Sequence, residues 1–225
     1  MPRIKQYTFE NIRNDPIIYQ LKSCTFKKYS FYLYKESTKH IIMEFVQIIE
    51  EYNHLWAVKY PYKEYDELTQ LFQQWNDAGF LLDFFMENLD DLKSYFHIER
   101  ISTAIEDTFE DAQTLEELIL DFPYTENLDQ LFKPLSQSDT RIQELSREKA
   151  RNWNRKQHTS WLRIYAIRLE PNVYVVTGGA IKLTATMQER EHTTIELEKL
   201  NQCRNYFLAN NVFDKDSFMD LNKED

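Results

Sequence analysis

Residues 161–208 read WLRIYAIRLEPNVYVVTGGAIKLTATMQEREHTTIELEKLNQCRNYFL, and this stretch decides the fold. Leu162 to Leu169 and Val173 to Ile181 are rich in β-branched and aromatic residues, the composition of a pleated, half-buried strand. Between them, Glu170-Pro171-Asn172 is a hairpin connector, because proline presets φ and asparagine tolerates the left-handed region. Gly178-Gly179 inside the second strand predicts a bulge or a sharp coil where the sheet bends. A polar loop follows, and a helix is expected from about Thr193 to Asn210, with Ile195, Leu197, Leu200, Tyr206, Phe207 and Leu208 as its apolar groups. Arg163, Arg168 and Lys182 are spaced along the two strands, so the ribbon presents cations that can replace the counterions of a phosphate chain.

Upstream, the pattern turns helical. Ile41, Ile42, Phe45, Ile48 and Ile49 stand at helical spacing and predict a helix over 37–53, capped by Ser37 or Thr38. A short strand, or an extended segment ending at Pro61, is expected over 56–62. Leu68, Leu71, Phe72 and Trp75 predict a helix over 65–77, with Gly79 as its stop. Two or three further helices are expected over 80–122, with Thr114 to Glu117 reading as a capping box. Residues 25–35 (TFKKYSFYLYK) read as a strand. Residues 141–156 fit either one charged helix or a strand followed by the basic loop RNWNRKQHTS. The terminal segment 213–225 predicts one more short helix.

Charge is distributed in blocks. Residues 83–144 hold sixteen acids against four bases, whereas residues 145–190 hold nine bases against three acids, within a chain of formal net charge −10. Such blocks either pair within the fold or divide functions between surfaces. With 42% hydrophobic residues and 15% aromatics, the 225-residue chain is a globular one. No apolar run reaches the roughly 18 to 20 residues that span a bilayer, and the first residues, MPRIKQYTFENIRNDP, lack the apolar core of a secretory signal. Cys24 and Cys203 are far apart and read as inert thiols of a reduced, cytoplasmic protein. Three glycines, two of them adjacent, leave no room for a glycine-rich phosphate loop, which excludes the P-loop and dinucleotide-binding classes. His40, His54, His97, His158 and His192 are scattered without ligand spacing, so neither a metal nor a cofactor is expected.

The same residues carry a family resemblance. Arg163 and Tyr165 on the first strand, Val173 to Val176 with Gly178 on the second, then Lys182, Thr184 and Thr186, and finally Glu196, Arg204 and Tyr206 resemble the C-terminal half of RelE/ParE/HigB-like toxins. Leu131-Phe132-Lys133-Pro134-Leu135 and Ile142-Gln143-Glu144-Leu145 resemble that family's preceding loop and first central strand, so the likeness covers roughly residues 127–208. It implies an α+β fold with a small, twisted, mainly antiparallel sheet. Residues 1–36 and 126–225 would form the RelE-like core, and 37–125 an acidic helical insertion whose face covers the basic sheet.

By resemblance the chain would act as the toxin of a type II toxin–antitoxin system, an endoribonuclease that cuts messenger RNA on the ribosome and is held by a cognate antitoxin. Arg163 and Lys182 would stabilise charge on the scissile phosphate, and Tyr165 or His192 would move protons. Arg151, Arg155, Lys156, Arg168 and Arg190 would bind the RNA chain, and Trp153 and Trp161 could stack on its bases. The sequence departs from the family in its length and acidity, in Met187 after Thr186, and in a single Lys182 followed by Leu183. A second reading is therefore a non-enzymatic interaction module of a mobile element that uses the same fold as a scaffold.

Overall fold

In the computed structural model, which describes residues 43–49, 54–61, 63–120, 128–135, 145–155 and 158–223, the fold is built around the expected hairpin. The antiparallel strands β5 (Leu162–Glu170) and β6 (Val173–Ile181) pair from Leu162↔Ile181 to Glu170↔Val173. Asn172 takes φ 65° in the connection, the left-handed conformation anticipated for it. The register shifts between Tyr165 and Ala166, whose partners are Gly178 and Val176. Thr177 is thus the extra residue of a bulge, and Gly178 beside it has φ +155°.

On one side of the hairpin lie β4 (Ser146–Ala150) and β3 (Phe132–Pro134), both antiparallel; on the other lie β2 (Leu55–Lys59), parallel to β6, and β1 (Glu44–Gln47). The sheet order is β1-β2-β6-β5-β4-β3. The protein is α+β, and its sheet is antiparallel except at β2–β6.

Side chains alternate between the two faces of a strand, and here both faces are covered. Leu162, Ile164 and Ala166 of β5, Tyr174 and Val176 of β6, and Leu55 and Ala57 of β2 share one core with four helices. These are α1 (Glu67–Trp75), α2 (Ala78–Glu87), α3 (Leu89–Phe96) and α4 (Ile101–Leu120). A short helix α5 (Leu128–Leu131) leads into β3. The opposite face meets α6 (Glu191–Ala209) and α7 (Lys215–Leu221). There the Phe45 ring sits 5.3 Å from Phe207 and 5.2 Å from Phe218, and Trp56 lies 5.2 Å from Phe218.

Local chemistry sets the helix starts. Asp66 caps α1 by accepting from the Leu68 and Thr69 amides, each at 3.0 Å. Asp77 caps α2 by accepting from Gly79 N at 2.8 Å, so Gly79 opens a helix where a stop was expected. Thr114 does not cap either. Its hydroxyl donates to the Glu110 carbonyl at 2.9 Å in the middle of α4, because the stripe Ala104, Thr108, Ala112, Leu115 and Ile119 runs unbroken through it.

The helix expected over 37–53 is a strand in its described part, Glu44–Gln47. Phe45 is 6% exposed and is fixed by the α6 and α7 rings, so tertiary packing overrides the helical spacing. Residues 141–156 take the strand-then-loop reading over their described part. Residues 37–125 accordingly contribute two strands as well as helices, and those helices share the core of the sheet. The strand expected over 25–35 and Cys24 lie outside the described residues.

Candidate functional site

Four cations converge on the face of β4, β5 and β6 that lies opposite the α1–α4 layer. Lys149 is the register partner of Tyr165, and Arg163 is the partner of Ala180, two residues before Lys182. Arg151 follows β4 at the next position of the same parity as Lys149.

Backbone carbonyls hold three of them. Arg163 Nη1 donates to the Ser160 carbonyl at 2.5 Å and to the Leu162 carbonyl at 2.6 Å. Lys149 Nζ donates to the Leu135 carbonyl at 3.0 Å, and Lys182 Nζ to those of Thr184 and Ala185 at 2.5 and 2.6 Å. The Arg151 guanidinium lies 4.1 Å over the Trp153 ring, and its buried Nε has no hydrogen-bond partner. Among the described residues, none of the four is in an ion pair.

Electrostatics follow from this arrangement. Burial, and then the neighbouring Arg151, lower Arg163 to about 10. Burial followed by repulsion from Arg163 lowers both Lys149 and Lys182, and burial lowers Arg151. These partly dehydrated cations repel one another and donate only to neutral oxygens, while Asp111 and Glu189 act on Arg163 and Lys182 from beyond ion-pair distance; an anion would stabilise such a site. In their midst Tyr165 is 1% exposed, and its hydroxyl is buried without a hydrogen-bond partner. Burial raises its pKa, and Arg163 opposes the rise.

The remaining basic residues go elsewhere. Arg155 pairs with Asp107 at 3.0 Å and Asp111 at 3.7 Å, and His158 reaches Asp107 at 3.1 Å. Arg168 forms a bidentate pair with Asp129 at 2.8 and 3.2 Å, and Arg190 one with Asp91 at 2.5 and 2.6 Å. The acidic block thus holds Arg155, Arg168 and Arg190, while Arg151 joins the cationic face; Lys156 lies outside the described residues. His192 is also turned away from the cluster. Its Nε2 donates to the Ile181 carbonyl at 3.0 Å, and its ring stands edge-on to Phe84. Of the expected catalytic set, Arg163, Tyr165 and Lys182 come together.

Sequence reasoning missed Lys149. The signal was present in Ser146-Arg-Glu-Lys-Ala-Arg151, where Arg147, Lys149 and Arg151 alternate and so share a strand face. It also missed a buried group beside Gly178. Lys199 of α6 bridges Glu196 at 2.9 Å and Glu67 of α1 at 2.7 Å. Burial raises Glu196, Lys199 beside it opposes that, and Glu67 adds to it. No sequence signal could have found this cluster, because Glu67 and Lys199 are 132 residues apart.

Cys203 is buried, and burial raises its thiol pKa. Among the described residues, no cluster of three or more His, Cys, Asp or Glu could hold a metal ion, and no helix is long and apolar enough to cross a membrane. No family model matches the chain, and no curated protein or solved structure matches it.

Proposed function

We propose that this protein is a RelE/ParE/HigB-like toxin of the cytoplasm whose cationic sheet face binds RNA, acting as a ribosome-dependent endoribonuclease under the control of a cognate antitoxin. The observation that carries this reading is the cluster of Lys149, Arg151, Arg163 and Lys182, which has no carboxylate partner among the described residues, while Arg155, Arg168 and Arg190 each have one. The run β3-β4-β5-β6-α6 supports it, since an antiparallel run followed by a helix is the arrangement that the resemblance implies.

In that chemistry the four cations stabilise charge that develops on the phosphate oxygens. A proton leaves the attacking 2′-hydroxyl, and another reaches the departing oxygen. Arg163 and Lys182 take the phosphate role, joined by Lys149 and Arg151. Tyr165, the register partner of Lys149, takes the proton-transfer role that the resemblance gives it.

One observation favours the second reading, a non-enzymatic interaction module. Tyr165 is 1% exposed, and His192 Nε2 is engaged by the Ile181 carbonyl, so neither proton-carrying group stands open beside the cations. A cationic face without an open acid or base can still bind an anionic partner without chemistry.

The two readings part on induced expression of wild type and a Lys149→Ala, Lys182→Ala double variant, chosen because both side chains are less buried than Arg163. Growth arrest with RNA cleavage by wild type, and neither by the folded variant, is the expected result. In vitro, the slope of log affinity against log salt for single-stranded RNA should become shallower by about 0.7 for each phosphate that the variant no longer neutralises. Arrest by both proteins would refute the site. Arrest by neither, with both soluble, would favour the interaction module.

A further inference from the structure

We propose that Trp153 is a stacking platform for one nucleobase of a single-stranded RNA whose phosphates lie on the adjoining cations; this rests on the RNA reading above. Two tryptophans flank the basic loop, and the structure separates them. Trp161 is fully buried, with Phe85, Phe96 and His158 around its ring and its Nε1 donating to Thr108. Trp153 is 37% exposed.

Its exposure is not that of a loose side chain. The indole Nε1 donates to the Leu131 carbonyl at 2.7 Å, and Leu131 is the last residue of α5, directly before β3. The Asn152 side chain accepts from Asn154 N at 3.1 Å, a local turn that sets Trp153 at its tip. The Arg151 guanidinium lies 4.1 Å from the ring centroid. An aromatic ring fixed by its edge, with a cation against it, is a surface on which a base stacks without an ordering cost.

Arg151 connects this surface to the cationic face. It directly follows Ala150, the last residue of β4, and so stands two residues beyond Lys149, whose register partner Tyr165 is two residues from Arg163 on β5. A chain whose phosphate reaches those groups therefore has a base within reach of Trp153. A stacked base is read by its π-face and not by its edge, so the platform confers a preference for bases over bare phosphodiester and little sequence preference.

The test measures affinity by fluorescence anisotropy for a short oligoadenylate and for an abasic phosphodiester chain of equal length. Wild type should prefer the oligoadenylate by about tenfold, the effect of one stacked base. Trp153→Ala should remove that preference while still binding the abasic chain, and Trp153→Phe should retain most of it, which also controls for folding. A preference that persists in folded Trp153→Ala, or a wild type that binds both chains equally, overturns the platform and leaves the cationic face standing. A wild type that binds neither chain overturns both.

Discussion

Replacing Glu196 by glutamine tests whether the buried carboxyl beside Gly178 holds a proton at neutral pH. Glu196 lies in α6, 9% exposed, with Lys199 Nζ 2.9 Å from Oε1. The Gly179 amide stands beside this carboxyl and favours its charged form, and Glu67 Oε1 is buried without a hydrogen-bond partner. One lysine thus serves two carboxylates, and one negative charge is left over if both ionise. Burial, with Glu67 adding to it, pushes Glu196 up to about 7. Because the folded state binds this proton more tightly than the unfolded chain does, the contribution to stability is complete at low pH. It falls as pH rises from the ordinary glutamate value towards 7, and it is constant above that. Each unit of displacement corresponds to about 1.4 kcal/mol, so the full window is worth on the order of 3 kcal/mol.

Glutamine keeps the shape and both hydrogen-bonding functions but cannot ionise. The unfolding free energy of wild type, measured by urea denaturation from mildly acidic to mildly alkaline pH, should fall through this window by on the order of 3 kcal/mol more than that of Glu196→Gln. Parallel curves for the two proteins would refute the reasoning and show that Glu196 is ionised throughout beside Lys199.

Two further substitutions probe the frame that carries the site. A Cβ on Gly179 would press on the Arg163 carbonyl and lie 2.6 Å from Leu71 Cδ1, and the backbone cannot yield. Gly179→Ala should therefore cost about 3 kcal/mol by overpacking, read as a thermal midpoint lowered by roughly 6–12 °C; an unchanged midpoint would count against this register. Asp129 accepts from Arg168, from the Tyr174 hydroxyl at 2.6 Å and from the Asn172 amide at 3.0 Å. Burial acts to raise its pKa, but the hydrogen bonds from Tyr174, Asn172 and Arg168 outweigh it and lower it. Asp129→Ala strands three donors and should destabilise by about 2–3 kcal/mol, with wild type approaching the variant as pH falls through the lowered Asp129 pKa; an equal gap at all pH values would contradict this.

The β5–β6 hairpin was legible because its signals are local. Pro171-Asn172 fixes the turn, alternation fixes the faces, and the glycine pair marks the bulge. The α6 helix was legible for the same reason. What failed depended on distant partners. Residues 44–47 carry helical spacing, yet Phe45 is decided by Phe207 and Phe218, more than a hundred residues away in the chain. Gly79 reads as a stop until Asp77 is seen to cap a new helix, and Thr114 reads as a cap until the stripe of α4 is followed through it. At the site, Arg163, Tyr165 and Lys182 were found through their spacing, whereas Lys149 needed the strand assignment of 146–150, which sequence left open between helix and strand.

The distribution of ion pairs also bears on the expectation that the acidic helices cover the basic sheet. If they did, the cations of β4, β5 and β6 would all meet carboxylates. Instead, the paired cations meet acids that surround the α1–α4 side: Asp91 on α3, Asp107 and Asp111 on α4, and Asp129 on α5. Those without a carboxylate partner, Arg147, Lys149, Arg163 and Lys182, occupy the opposite face, which those helices do not cover. The acidic block therefore neutralises the arginines that dock helices and loops onto the sheet, and its removal would also take β1, β2 and the shared core. Two opposite charge blocks in the sequence thus serve one structural purpose across one face, and the cations left without a carboxylate lie on the other, partly buried on the face that α6 and α7 also meet.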